Sequence, residues 1–120
     1  MIKGGEIVPN VYRYMFGVAY EGKPLICGSF VLERGDDFYT LWAFKIDEQY
    51  RRKGFGNQMM KDILKEIKGP IYLYVEYDNE PAVNFYKKHG FVESDEKITH
   101  ITNPGPNINK EKLILLKLDR

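Results

Sequence analysis

A basic turn with two glycines, Arg51-Arg52-Lys53-Gly54-Phe55-Gly56-Asn57, separates two differently patterned parts of this 120-residue chain. Before the turn, residues 11–20 are rich in β-branched and aromatic residues, and residues 25–33 and 38–46 read as two further strands with short turns between them, which is typical of an antiparallel meander. After it, apolar residues recur at the spacing of one helical face, at Met59, Met60, Ile63, Leu64 and Ile67. The chain is therefore limited to folds that combine strands and helices.

The second part of the chain predicts a further strand, a second helix and a closing strand pair. Gly69-Pro70 ends the first helix, residues 71–76 read as a buried strand, and Asp78-Asn79 can cap a helix that ends at His89-Gly90. Residues 91–101 and 112–118 read as a closing strand pair around a breaker-rich loop at 102–107. We predict an α/β mixed sheet in the order β-β-β-α-β-α-β-β, forming a single domain over 1–120. The first ten residues would add at most an edge strand. Residues 38–76 would form a right-handed crossover with parallel strands.

Composition excludes several classes of protein. Eighteen Lys and Arg against 17 Asp and Glu leave a net charge of +1, which argues against a protein held mainly to nucleic acid phosphates. One cysteine, Cys27, cannot form an internal disulfide, and two histidines, His89 and His100, make a structural metal site improbable. We interpret Cys27 as a buried strand residue, His89 as a helix-end cation and His100 as a strand-surface residue. No apolar run approaches the ~20 residues of a membrane span and no apolar leader is visible, so we expect a cytoplasmic protein.

The basic turn has the properties of an anion site. The first amides of a helix lack carbonyl partners, the helix dipole is positive there, and two glycines allow a bulky phosphate to approach the backbone. A dinucleotide fingerprint would need glycine where the chain has Met59, and a P-loop would need Lys-Ser/Thr where it has Asn57-Gln58. The alternative is a solvated basic turn that only starts a helix.

The second predicted helix carries a polar stripe. Asn79, Ala82 and Tyr86 stand at i, i+3 and i+7, which places them on one face, whereas Phe85 belongs to another face and is free to enter the core. Such a stripe suits a ligand that lies along the helix. The alternative is that Tyr86 packs at a rim with its hydroxyl in water.

Together, Arg51-x-x-Gly54-x-Gly56 and Asn79-x-x-Ala82-x-x-Phe85-Tyr86-x-x-x-Gly90-Phe91 closely resemble the motifs of the GCN5-related N-acetyltransferases, the GNAT family. The resemblance covers Tyr14 through Phe91. It implies the GNAT acyl-CoA N-acyltransferase fold, acetyl-CoA as cosubstrate, and transfer of the acetyl group to a primary amine by direct attack.

The resemblance also assigns residues. Backbone groups of Phe44, Lys45 and Ile46 would meet the pantetheine arm. The pyrophosphate would lie on the amides of Arg52, Lys53, Gly54, Phe55, Gly56 and Asn57, with Arg51 at the motif's Gln/Arg position. Asn79 would contact the cosubstrate where the parallel strands part, and Tyr86 would be the general acid. For the general base we nominate Glu76, which shares a strand face with Tyr74; the alternative is an ordinary strand-end carboxylate.

The chain departs from the family before the meander. Typical members place a strand and two helices there, and about ten residues are too few for two helices. The acceptor side should therefore be open. It would admit a protein lysine or N-terminus, or a homodimer partner would supply the missing wall. A non-catalytic GNAT-like module that binds CoA or another protein is the competing function, and nucleic-acid binding through residues 51–53 and 87–88 is weakly supported.

Overall fold

The computed structural model describes residues 2–96 and 110–120. These residues form one seven-stranded mixed sheet with the strand order β1-β2-β3-β4-β5-β7-β6. The strands are β1 (Ile2–Val8), β2 (Val11–Tyr20), β3 (Lys23–Arg34), β4 (Tyr39–Ile46), β5 (Ile71–Glu76), β6 (Val92–Ser94) and β7 (Leu113–Leu118). The helices are α1 (Phe55–Glu66) and α2 (Glu80–Lys88), with 3-10 turns at Glu48–Tyr50 and Lys110–Lys112.

The predicted mixed α/β architecture and its order of elements are confirmed, with three differences in detail. The first residues form a complete edge strand, β1, which turns directly into β2 through Pro9-Asn10. The helix α1 begins at Phe55, before Gly56. The strand predicted over 91–101 is shorter: β6 spans Val92–Ser94, and residues 97–101 lie outside the described residues, as does the predicted loop at 102–107.

Both helices pack on the same face of the sheet. Met59 and Ile63 of α1 and Val83 of α2 join one buried cluster with Leu73 and Val75 of β5. Because side chains alternate along a strand, Tyr72, Tyr74 and Glu76 point to the opposite face. We call these two surfaces the helix face and the far face.

The strands β4 and β5 run parallel, as predicted, but pair only at Tyr39–Ile71, Thr40–Tyr72 and Leu41–Leu73. Beyond Leu41 and Leu73 they part, while β5 remains paired with β7 as far as Glu76. The register of β4 against β3 shifts between Trp42 and Lys45, and Ala43 has a φ of 51°. This bulge bends the end of β4 and leaves a gap in the sheet beside β5.

No helix in the described part of the chain is long and apolar enough to cross a membrane.

Candidate active site

A cavity of about 450 Å³ lies beside the gap between β4 and β5. Its walls come from the end of β4, the basic turn, the start of α1 and one face of α2. The lining residues are Phe44, Lys45, Ile46, Tyr50, Arg51, Arg52, Gly54, Phe55, Gly56, Asn79, Pro81, Ala82, Phe85 and Tyr86. Two separate sequence motifs, the turn and the α2 stripe, therefore meet in one place.

The basic turn offers a run of unpaired backbone donors. The amides of residues 52–57 donate to no backbone carbonyl of the described residues, and the first helical bond at this end is from the amide of Gln58 to the carbonyl of Gly54, at 3.2 Å. Arg52 has a φ of 65° and Gly54 a φ of 80°, so the chain folds back through two left-handed positions. Successive amides held in this way form an anion-binding concavity at the positive end of α1.

The end of β4 is tied to this turn. The Arg51 Nε donates to the carbonyl oxygen of Ile46 at 3.0 Å. The Phe44 ring stands 5.5 Å from the Phe85 ring and 6.0 Å from the Tyr86 ring, measured between centroids. The β4 bulge therefore sends Phe44 to the helix face, where it packs on α2.

Tyr86 is held by aromatic neighbours on α2 and after it. Asn79 caps the helix, its Oδ1 accepting the Ala82 amide at 3.3 Å, and the Tyr86 ring lies 5.4 Å from Phe85 and 6.0 Å from Phe91. Burial raises the pKa of Tyr86 to about 12, because a phenolate would lose its hydration there. The phenol therefore keeps its proton at neutral pH, so it is available as a proton donor and not as a base.

Most of the predicted site residues line the cavity. Tyr86 does, and so do Phe44, Lys45, Ile46, Arg51, Arg52, Gly54, Phe55, Gly56 and Asn79. Lys53, Asn57 and Glu76 do not. Lys53 points away, with its Nζ 5.6 Å from the centre of the Tyr20 ring. Glu76 ends β5 on the far face, opposite Leu113 of β7.

Asn57 has a second role that its motif position did not suggest. Its Oδ1 lies 3.0 Å from His89 Nε2 and 3.5 Å from Lys88 Nζ. Because an amide oxygen only accepts, this contact is a hydrogen bond in the His89 tautomer that carries its proton on Nε2. This contact joins the start of α1 to the end of α2, the two helices that wall the cavity.

Four further residues line the cavity: Ala82, which belongs to the predicted polar stripe of α2, and Tyr50, Pro81 and Phe85, which were not predicted as part of the site. Helical spacing placed Phe85 on another face, free to enter the core, and it does pack against the core. Its Cε1 would also lie 3.6 Å from a Cβ added to Gly56, so it closes the cavity between the helices. Tyr50 belongs to a 3-10 turn, which strand and helix periodicity does not detect.

On the far face, an aromatic pair lies where β4 and β5 part. The rings of Trp42 and Tyr74, each the first residue beyond the last parallel pair, stack with centroids 5.6 Å apart. Trp42 Nε1 donates to Glu33 Oε1 at 3.1 Å, and Glu33 is buried. The gap thus has Tyr86 and Phe44 on the helix face and Trp42 and Tyr74 on the far face.

Across the described residues, no group of His, Cys, Asp or Glu is arranged to hold a metal ion.

The model of the acetyltransferase (GNAT) family matches residues 6–91 of the chain. The chain belongs to the GNAT family. This confirms the resemblance drawn from the two motifs, and the matched region contains every residue assigned to the site.

Relatives of this GNAT chain include several N-acetyltransferases. An N-alpha-acetyltransferase of Sulfurisphaera tokodaii is 43% identical over 51 residues, which are 38% of this chain and 30% of that protein. The chain thus spans about 30% of the length of the curated relatives it matches.

Solved structures agree on the GNAT fold. A GNAT acetyltransferase from Elizabethkingia anophelis with acetyl-CoA bound has a TM-score of 0.67 at 19% identity, covering 92% of this chain and 77% of that one. Arabidopsis thaliana Naa50 with the bisubstrate analogue CoA-Ac-MVNAL has a TM-score of 0.61 at 24% identity, covering 82% and 67%.

Proposed function

We propose that this protein is an acetyl-CoA-dependent N-acetyltransferase that acts on the α-amino group of a peptide or protein. The observation that carries the proposal is one cavity beside the sheet gap, whose lining includes both the basic turn and Tyr86. The amides of residues 52–57 in that turn donate to no backbone carbonyl of the described residues. The turn suits the cosubstrate's diphosphate, and the phenol lies on the same lining as the end of β4.

The residues present fit the cosubstrate. The amides of the turn and the cation of Arg52 would hold the diphosphate. The backbone of Phe44, Lys45 and Ile46, which leaves β5 at the gap, offers hydrogen-bonding groups to an extended arm. Bound acetyl-CoA supplies the activated acetyl group, and the GNAT structure from E. anophelis that shares this fold was solved with it.

In the transfer, the neutral amine nitrogen forms a bond to the acetyl carbon, the carbon–sulfur bond breaks, and the amine proton passes to a base or to water. Tyr86, which lines the cavity, would face the departing sulfur. A phenol with a pKa of about 12 does not fully protonate a thiolate of pKa about 8.5, since that is uphill by about 5 kcal/mol. Tyr86 therefore acts by donating a hydrogen bond to the charge that develops on sulfur.

The acceptor that we propose, the α-amine, is the amine that costs less free energy to deprotonate at neutral pH. At pH 7, deprotonating a lysine of pKa about 10.4 costs about 4.6 kcal/mol, against about 1 kcal/mol for an α-amine of pKa about 7.8. Glu76, our candidate base, lies outside the cavity lining, so it would act through water. The N-alpha-acetyltransferase relative and the Naa50 structure with its bisubstrate analogue support the same choice.

The acceptor would approach from the far face, because both helices occupy the other face. Trp42 and Tyr74 then flank its entry to the gap. An apolar first side chain of a peptide would pack on these rings. The substitution Trp42→Ala should raise the KM for the peptide about tenfold, a loss of about 1.4 kcal/mol, while the Kd for CoA is unchanged.

Peptide acetylation tests the proposal directly. Two peptides of equal length are incubated with acetyl-CoA: one has a free N-terminus and no lysine, and the other has a blocked N-terminus and one internal lysine. Released thiol and the product mass are measured. We expect acetylation of the free N-terminus, at a rate that rises with pH through the pKa of the α-amine.

Equal or faster reaction of the blocked peptide would overturn the choice of acceptor. Tight binding of CoA by calorimetry with no transfer to either peptide would favour the non-catalytic module. Glu76→Gln, tested in parallel, should remove any base-dependent limb of the pH–rate profile; an unchanged profile would exclude Glu76 as the base.

A further inference from the structure

The outer edge of β1 is free in the described part of the chain. β1 is the first strand in the sheet order, and all seven of its residues are exposed. Ile2, Ile7 and Val8 are 56%, 51% and 52% exposed. An exposed edge strand with apolar side chains is a template for another strand.

Two bulges set the direction of the β1 side chains. Against β2, Lys3 pairs with Tyr14 and Gly5 with Arg13, so Gly4 is an extra residue; Ile7 is extra in the same way. In a regular strand, residues three apart face opposite sides of the sheet. Because Gly4 is extra, Lys3 and Glu6 share the helix face.

Without the two extra residues, the positions of β1 that pair with β2 are Ile2, Lys3, Gly5, Glu6 and Val8, with Ile2 and Val8 on the far face. Read forwards, these residues are apolar, basic, glycine, acidic and apolar. Read backwards, they are apolar, acidic, glycine, basic and apolar, so each charge meets its opposite when the two orders are aligned. A strand with this pattern matches its own copy in an antiparallel pair.

We propose that β1 pairs with β1 of a second copy of this chain, antiparallel and about a two-fold axis at Gly5. Lys3 then lies opposite Glu6 of the partner subunit, and Ile2 lies opposite Val8 of the partner subunit. The two-fold axis repeats both contacts, so the interface contains two ion pairs and two apolar pairs on a continuous sheet.

Lys3 and Glu6 also have contacts within their own chain, and Glu6 Oε2 accepts a hydrogen bond from the Asn10 amide at 3.2 Å. Lys3 Nζ lies 3.9 Å from the centre of the Tyr12 ring. Glu6 raises the pKa of Tyr12 by accepting a hydrogen bond from its hydroxyl. Both charges therefore flank one ring on the helix face. Cross-strand pairs contribute about 0.2–1 kcal/mol each, so a dimer of this size should be weak and dependent on concentration.

Charge exchange tests the interface. The full chain without ligand is examined by sedimentation equilibrium from about 5 to 500 µM, where we expect a monomer–dimer equilibrium. Lys3→Glu and Glu6→Lys each place like charges opposite one another twice, and each should weaken the dimer at least about tenfold. The double variant Lys3→Glu/Glu6→Lys restores both pairs and should dimerise like the native chain.

An equimolar mixture of the two single variants gives the sharpest test. One variant then offers two acids and the other two bases, so the mixture should dimerise although neither variant does so alone. Lys65→Glu, an exposed change on α1 with the same effect on net charge as Lys3→Glu, is the control and should leave the dimer unchanged. Circular dichroism establishes that each variant is folded.

A native chain that stays monomeric at the highest concentration would overturn the proposal. So would dimers that survive both single variants, or a mixture that stays monomeric. The proposal is independent of the acetyltransferase function, since Lys3 and Glu6 are not part of the cavity lining.

Discussion

At the scale of single residues, the aromatic rings around Tyr86 determine the protonation state of its phenol. Phe44, Phe85 and Phe91 exclude water from three sides, and this burial raises the pKa of the phenol to about 12. A residue so placed holds its proton throughout the working pH range. It can assist a leaving anion and cannot remove a proton from an amine.

The substitution Tyr86→Phe removes only the hydroxyl. We expect kcat for acetyl transfer to fall by about 10²-fold, in the range of a lost proton donor, with little change in the Kd for CoA. Steady-state kinetics and calorimetry measure the two quantities. Tyr77→Phe, at an exposed tyrosine, is the matched control. Unchanged turnover in Tyr86→Phe would remove Tyr86 from the mechanism.

At the scale of elements, the close approach of β3 and β4 decides where the cavity lies. Gly28 of β3 pairs with Ile46 of β4, and a Cβ at Gly28 would lie 2.8 Å from the Lys45 carbonyl oxygen and 2.8 Å from Ile46 Cδ1. Glycine at this position therefore allows β4 to follow β3 to its end. The same residues of β4 line the cavity.

Gly28→Ala should therefore act on both stability and binding. We expect a loss of about 1–3 kcal/mol in the free energy of unfolding, as for other overpacked sites, together with weaker binding of CoA. Urea unfolding and calorimetry measure these changes. Ser29→Ala, at the adjacent half-buried position, should change neither. Equal behaviour of the two variants would contradict the role given to Gly28.

Sequence periodicity predicted the elements of the helix-face core but not the details that shape the gap. The spacing of Met59, Met60 and Ile63 and the cap at Asn79 are local signals, and the structure has both helices. The bulge at Ala43 is a tertiary feature, because an alanine with positive φ has no signature in a single sequence. Glu76 was nominated by strand alternation alone, which fixes the face of a side chain but not its distance from a cavity.

At the scale of the whole molecule, the cavity depends on contacts between helices that are distant in sequence. His89 Nε2 meets Asn57 Oδ1 at 3.0 Å and the His89 ring lies 4.8 Å from Phe85, so the end of α2 is fixed to the start of α1. We predicted His89 as a helix-end cation. Instead, burial and the nearby charges of Lys88 and Lys61 lower its pKa, which favours the neutral ring.

This shift makes stability dependent on pH. The unfolded chain binds a proton at His89 with the ordinary pKa of about 6.5, whereas the folded chain binds it at lower pH. The contribution of neutral His89 to stability is therefore complete above that value and is lost as pH falls through the folded pKa. The unfolding temperature of the native protein, relative to His89→Gln, should decrease between pH 7.5 and pH 5.

Differential scanning calorimetry at matched pH values measures this difference, and groups common to both proteins, including His100, cancel in it. A difference that does not change with pH would show that His89 titrates normally.

Because β4 and β5 part after three parallel pairs, these pairs alone join the β1–β4 half of the sheet to the β5–β7 half in the described part of the chain. An extended ligand bound in that gap would lie beside β4, where a neighbouring strand would otherwise pair with it. Its hydrogen bonds to β4 would bring it next to residues of β5, so that binding links the two halves more firmly than the polypeptide does alone. The cosubstrate would then be a structural part of the sheet for as long as it is bound, and its departure after transfer would loosen the molecule along that seam.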